Sequence, residues 1–338
     1  MRVKRQNPIS TAWLCFLLVL VLAACGQSSG KTEALTPVKS ENKSENSRDY
    51  EPVTIQNGDR KIEITEKPMR AVTLNQHTTE VMLALGLEQY MAGTAYLDDD
   101  ILPEYKDQYT KIPVLSDAYP SQEAFLNVNP DFAYAGWQSA FQEDAVGTVE
   151  RLEELGITAY LHQSSNMVGP AKEDIYQDIR NIARIFDVEE RAEKLIESMN
   201  NEVEKIREQI GAIDEPLRVF VYDSGEDAPV TATQNFMTEL IHMAGGKNIF
   251  SDIEKNWANV TWEEVVNRNP EVIVIIDYGD IPVEKKKQTL LNKSALADVE
   301  AIQNERFTVL PLSAAAEGVR MPIAVETLAK SFYPEKFK

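Results

Sequence analysis

Cysteine is almost absent from this sequence. Its 338 residues hold two, Cys15 and Cys25, so everything beyond residue 25 is free of thiols. That excludes a disulfide framework, a thiolate metal site and a dithiol redox centre from the body of the chain. Histidine is nearly as scarce, with His77, His162 and His242 the whole supply. A bare metal ion needs several His and carboxylate ligands converging on one point. Positive charge is short too: 34 Lys and Arg stand against 54 Asp and Glu, a net charge of −20. A balance that acidic disfavours nucleic acid and anionic membrane surfaces. No apolar run reaches the roughly 20 residues of a spanning helix. Walker loops, an adjacent Gly-x-Gly-x-x-Gly fingerprint and a nucleophile elbow are missing as well.

The N-terminus sets the compartment. Arg2, Lys4 and Arg5 make a positive start, Trp13 to Leu22 form a short apolar run, and Leu22-Ala23-Ala24-Cys25-Gly26 follows. A basic start, a short apolar segment and small residues before a cut read as a secretory signal over 1–24. Leu-Ala-Ala-Cys-Gly resembles the bacterial lipobox, in which the Cys becomes a lipidated N-terminus. Cys25 is therefore the expected lipidation site. The chain is expected on the extracytoplasmic face of the cell membrane, held by lipid alone. Residues 25–50 are mostly Ser, Lys, Glu, Asn, Gly and Thr, too polar to bury a core, and read as a flexible tether. Loss of residues 1–24 removes three positive charges and takes the net charge from −20 to −23.

The body from residue 51 onward is long enough for two domains. Short apolar runs predict strands at Arg70–Leu74, Met91–Ala95, Asp131–Ala135, Thr158–Leu161, Arg218–Tyr222, Glu271–Asp277 and Phe307–Leu312. The run Val272-Ile273-Val274-Ile275-Ile276 is continuously apolar, as in a parallel strand covered on both faces. Helical stretches lie between, so the fold class is α/β. From Val188 to Ile210, apolar residues recur at steps of three and four, with neither Gly nor Pro until Gly211. This predicts one long amphipathic helix, roughly 35 Å from end to end. The expected organisation is an N-terminal lobe over 51–187, a linking helix over 188–211 and a C-terminal lobe over 212–338. Each lobe is expected to be Rossmann-like, with a mainly parallel sheet.

The two halves repeat one another. Thr79-Glu80-Val81 leads to Gly86, and Thr238-Glu239-Leu240 leads to Gly245. Ser121-Gln122-Glu123 runs through seven residues to Pro130-Asp131 and a strand; Thr261-Trp262-Glu263 runs through seven to Pro270-Glu271 and a strand. With Thr261 as N-cap, Glu264 at N3 completes a capping box and leaves Glu263 free to face outward. Ser121 caps the first helix in the same way, with Glu123 at the equivalent place.

Taken together, Leu74 through Glu80, Glu123 with Asn129-Pro130-Asp131, the Val188–Ile210 helix, Asn248-Ile249-Phe250, Trp257 through Glu263 and Asn269-Pro270-Glu271 resemble one family. It is that of the solute-binding proteins for vitamin B12 and ferric siderophores, importer receptors whose two lobes are bridged by one long helix. The resemblance covers essentially all of 51–338. It implies a monomeric receptor that carries no cofactor, is not an enzyme, and delivers a small ligand to the transmembrane subunits of an ABC permease. It implies that Glu123 and Glu263 meet arginines on those subunits, and that Arg320, after Gly318, faces the ligand.

Ligands of open α/β units bind outside the carboxyl ends of the strands. In the first lobe this selects Asn75, Gln76, His77, Tyr96, Tyr119, Trp137 and Gln138. In the second it selects the loop Tyr222–Ser224, Thr233, Gln234, Asn235, Trp257, Tyr278 and the loop Ser313–Arg320. The aromatic lining suits a flat or apolar ligand, and an iron chelate of siderophore type is the expected cargo. Cobalamin and haem are alternatives, as is a bare metal ion through His77 and His162. A surface-anchored α/β hydrolase is a remote one, since no Ser or Cys nucleophile stands with a base.

Overall fold

The run Val272–Ile276 shows how the sheets are built. Val272, Val274 and Ile276 enter one core while Ile273 and Ile275 enter another, because successive strand side chains point to opposite faces. A strand with both faces covered has no polar side to alternate. The computed structural model describes residues 50–338. The signal peptide, Cys25 and all of the tether but its last residue lie outside the described residues.

An antiparallel hairpin, β1 (Val53–Asn57) and β2 (Arg60–Ile64), comes first. It is followed by β3 (Ala71–Leu74), β4 (Met91–Ala95), β5 (Val114–Ser116), β6 (Phe132–Ala135) and β7 (Thr158–Leu161). These five form a parallel sheet in the order β5-β4-β3-β6-β7. The second half contains β8 (Leu217–Tyr222), β9 (Val230–Ala232), β10 (Gly246–Asn248), β11 (Trp257–Asn259), β12 (Val272–Asp277) and β13 (Phe307–Pro311). Its parallel sheet runs β10-β8-β12-β13, and β9 pairs with β11 as a separate antiparallel ribbon. The α/β class with two parallel sheets is as expected, and all seven strands read from the sequence lie at their places. The hairpin β1–β2 and the short strands β5, β9, β10 and β11 were not read.

The long helix spans Glu189–Ile210 and stops at Gly211, whose φ of 76° suits a residue without a side chain. Ala192, Ile196, Met199, Val203, Ile206 and Ile210 are its buried face. It packs against the helix Lys172–Ile185 before it and the C-terminal helix Met321–Phe332. One apolar core runs from Ile55 and Ile62 of the hairpin, along this helix, to Val325 and Phe332. Each lobe has a further core on the other face of its sheet. The helix is thus embedded in a core that both lobes share, so rotating one lobe would have to shear that core.

The internal repeat is visible at the level of atoms. Asp131 accepts the amides of Met69 and Arg70 at the start of the first lobe's central strand; Glu271 accepts the amide of Arg218 at the start of the second's. The Arg70 guanidinium donates to the carbonyl of Asn129, and that of Arg218 to the carbonyl of Asn269. Both asparagines are left-handed, at φ 48° and 38°, a conformation Asn tolerates better than most residues. Pro130 and Pro270 follow them; the second helix ends at Arg268, directly before its left-handed Asn269, whereas the first has already ended at Leu126.

Candidate functional site

Every parallel strand of the first lobe delivers a residue to the sheet's carboxyl edge. Asn75 follows β3, Tyr96 follows β4, Tyr119 lies just beyond β5, Trp137 beyond β6 and His162 after β7. In the second lobe Asp223 follows β8, Tyr278 follows β12 and Ser313 lies beyond β13. The two edges face one another, because the loop after β13 bonds across to the first lobe. The Ser313 hydroxyl donates to Asp99 at 3.1 Å, and Arg320 reaches Glu80 and the Asp100 carbonyl.

Asn75 is fully buried and sits at φ 101°, an uncommon conformation for a residue with a side chain. Its surroundings hold it there. Its amide donates to the Ala95 carbonyl, its carbonyl accepts from Thr79, and its side-chain oxygen accepts from Gly136 at 3.1 Å. Its Nδ2 donates to the Tyr119 hydroxyl at 3.1 Å, and Ser139 meets that hydroxyl from the other side. Tyr96 stands edge-on to Tyr119 at 4.6 Å. Asn75 thus positions a pair of half-buried tyrosines. Gln76 is also inward: its carbonyl oxygen accepts the amides of Asp98 and Asp99 and pins their loop.

His77 is buried between glycines. A Cβ on Gly136 would lie 2.2 Å from its Cε1, and one on Gly318 would lie 3.0 Å from its Cβ. Its ring meets Trp137 at 4.8 Å and His162 at 5.3 Å, both edge-on. Burial first, then His162, pushes its pKa well below the usual imidazole value. Burial lowers that of His162 too, against the pull of Asp178. His162 Nδ1 contacts the Tyr134 hydroxyl at 2.6 Å, and Asp178 is saturated by Tyr160, Gln163 and Ser164. Among the described residues no group of three His, Cys, Asp or Glu could hold a metal ion. His77 and His162 thus have no third such ligand beside them among the described residues. His242 is a surface residue beside Glu239.

Arg320 departs from the expectation of a ligand-facing arginine. It is buried, and its guanidinium grips Glu80 through Nε at 2.8 Å and Nη2 at 2.6 Å, with Nη1 on Ser313. Glu80 is 1% exposed. This bidentate pair joins residues 240 apart in the chain and ties lobe to lobe. Glu317 sits near the same junction. Burial pushes its carboxyl up to about 7, against the pull of its own backbone amide, the Ser165 hydroxyl and the Phe236 amide.

The second lobe sorts its candidates the same way. Tyr222 is buried against Trp262, its hydroxyl donating to the Gly225 carbonyl. Thr233 is buried and donates to the Lys255 carbonyl, and Asn235 caps the helix Phe236–Met243. These three are scaffold. Gln234 is half-buried, and its carbonyl accepts from Gly169 of the first lobe at 2.7 Å. Trp257 is 40% exposed on the β9–β11 ribbon. Tyr278 is half-buried and donates to Asp223 at 2.7 Å. The edge residues left open are thus Tyr96, Tyr119, Trp137 and Gln138 opposite Gln234, Trp257 and Tyr278. Glu80 and Asp99 were not singled out from sequence as site residues, and Asp223 only within the loop Tyr222–Ser224. The triplet Asp98-Asp99-Asp100 directly after β4 was a signal for one of them.

Glu123 and Glu263 are both exposed on short helices, Gln122–Leu126 and Trp262–Arg268. Ser121 accepts from the Ala124 amide, and Thr261 with Glu264 forms the expected capping box. Each helix is followed by a strand of its lobe's parallel sheet, β6 in the first lobe and β12 in the second.

Residues 72–314 match the family model described as periplasmic binding protein. The chain is 26% identical over 332 residues to YvrC of Bacillus subtilis, an uncharacterized ABC transporter substrate-binding lipoprotein, covering 96% of this chain and 98% of that one. It is 24% identical over 307 residues to the molybdate-binding protein MolA of Haemophilus influenzae, covering 83% and 84%. The crystal structure of a periplasmic binding protein from Veillonella parvula superposes with a TM-score of 0.77 at 30% identity, covering 84% of this chain and 98% of that one. The chain belongs to the periplasmic binding protein family: it is a substrate-binding protein of an ABC transporter and not an enzyme.

Proposed function

We propose that the solute is a metal chelate of iron-siderophore type, taken up between the two carboxyl edges. The observation that carries this reading is the aromatic character of the open positions: Tyr96, Tyr119 and Trp137 on one edge, Trp257 and Tyr278 on the other. Rings presented edge or face suit a bulky chelate with an apolar skin and polar oxygens. A tetrahedral oxyanion such as the molybdate named for MolA needs convergent donors, and Arg320 is engaged by Glu80. Cobalamin and haem are the second reading, on the same aromatic surfaces.

In this account Cys25 carries the lipid that holds the receptor, as a monomer, at the outer face of the cell membrane. Glu123 and Glu263 dock it on the permease. Their exposure at equivalent helix starts, and the shared core that fixes their spacing, support that role. The test is a tryptophan-fluorescence titration with a ferric hydroxamate, cyanocobalamin, haemin and molybdate. Saturable quenching by the ferric chelate, weakened in Trp137→Phe and Trp257→Phe, is expected. Saturation by another solute, with the ferric chelate inert, overturns the proposal.

A further inference from the structure

We infer that Asp223 sets the charge of the solute, so that the cleft accepts a cationic, donor-bearing chelate ahead of a neutral one and rejects an anionic one. This rests on the chelate reading above and adds a specificity-determining residue to it.

Asp223 stands directly after the second lobe's central strand, where Asn75 stands in the first. The parallel is close: Asn75 holds the hydroxyl of Tyr119, and Asp223 holds that of Tyr278. The difference between the two lobes is a full negative charge. Oδ2 of Asp223 accepts from Tyr278 at 2.7 Å and from the Ser224 hydroxyl at 2.9 Å. Among the described residues Oδ1 takes no side-chain donor and is not one of the sealed, unpartnered polar atoms. The O–H of Tyr278 is engaged by this carboxylate, so its oxygen has only lone pairs left to offer a solute. Burial, then the bond to Asp223, keeps the phenol protonated well above the ordinary range. The pair is therefore an acceptor site carrying negative charge.

Two nearby cations are held by other groups, and Lys286 feels Asp277 as well as Asp223, so it does not neutralise both carboxylates. Lys286 is 3% exposed; its ammonium donates to the Ile276 carbonyl at 2.6 Å and lies 4.6 Å from the Tyr278 ring centroid. It backs the ring without meeting the solute. Arg320 is held by Glu80, and the loop beside it carries Asp98, Asp99 and Asp100. A cleft between low-dielectric walls focuses such a potential, and a carboxylate that is only 6% exposed acts at short range with little screening.

The test uses one ferric trihydroxamate scaffold in three charge states. Ferric desferrioxamine B carries +1 through its terminal ammonium, its N-acetyl derivative is neutral, and its N-succinyl derivative carries −1. Dissociation constants come from tryptophan quenching of the mature protein and of Asp223→Asn. Asparagine keeps an acceptor for Tyr278, so the urea midpoint should stay near that of the parent. The expected order is cation tightest and anion weakest, with the cation-to-anion ratio falling about tenfold in Asp223→Asn. An anion bound as tightly as the cation, or a ratio unchanged in the variant, overturns the inference. If none of the three binds, the ferric-chelate reading fails by itself. Charge selection is then read from aquocobalamin, a cation, against neutral cyanocobalamin. Equal affinity there, or no binding of either, overturns it too.

Discussion

Replacing Arg320 by Met distinguishes a structural arginine from a ligand-binding one. The change removes both guanidinium contacts to Glu80 and the bond to Ser313. Glu80, 1% exposed, keeps only the Leu102 amide at 3.1 Å and a long contact to Gln76. Stranding one partner of a buried pair costs about 3–5 kcal/mol. The compact unit spans residues 49–338. At an unfolding entropy of about 2.1 cal/mol/K per residue, its midpoint should fall by roughly 5–8 °C. Glu80→Met alone should cost about as much, since it leaves the guanidinium unpaired. The double change removes both charges and should recover most of the loss, as replacing both members of a buried pair is often near neutral. The assay is thermal and urea unfolding of the four proteins, with solute affinity measured on each. An Arg320→Met protein that melts within about 1 °C of the parent yet binds solute a hundredfold more weakly would refute the reasoning.

Three further outcomes are expected. Gly136→Ala puts a methyl group 2.2 Å from His77 Cε1; it should cost about 1–3 kcal/mol and shift tryptophan emission, because Trp137 rests on that ring. Near-parental stability and an unchanged spectrum would contradict the close packing described. Glu123→Ala with Glu263→Ala alters two exposed side chains, so stability should change by less than about 0.5 kcal/mol, solute affinity should hold, and cellular uptake of the labelled ferric chelate should be lost; uptake at the parental rate contradicts the docking role. Between pH 6.5 and 5 the buried, neutral His77 and His162 destabilise the fold as the unfolded chain gains their protons. Glu317, raised to about 7, acts in the opposite sense, because the folded state takes up its proton first. Glu317→Gln deletes that opposing contribution, so its stability should fall more steeply with acid than the parent's, by about 1.4 kcal/mol per pH unit. Parallel pH curves would remove Glu317 from this balance.

What the sequence revealed depended on the range of each interaction. The long helix was readable because twenty-two residues keep one apolar stripe and end at Gly211. Strand β12 was readable because five apolar residues in a row admit no exposed face. Strands β5, β9, β10 and β11 have three residues each, too few to establish a period. The β1–β2 hairpin did leave a signal: Ile55, Asn57, Ile62 and Ile64 alternate inward about Asn57-Gly58, directly after the polar segment that ends at residue 50. Candidate site residues divided by the same logic. Carboxyl-edge positions followed from strand ends, and Asn75, Tyr96, Tyr119, Trp137 and Tyr278 do lie beyond strands β3, β4, β5, β6 and β12. Which of them are open was not written locally. Asn75 is consumed by Tyr119 and Gly136, and Arg320 by a glutamate 240 residues away. Pairings of that span depend on how the two lobes meet.

The most direct test of the account is the visible spectrum and metal content of the mature protein as purified from its own host. Iron near one per chain, with a charge-transfer band, is the expected result. Cobalt with a corrin spectrum, a haem Soret band, or bound molybdenum without colour would contradict it.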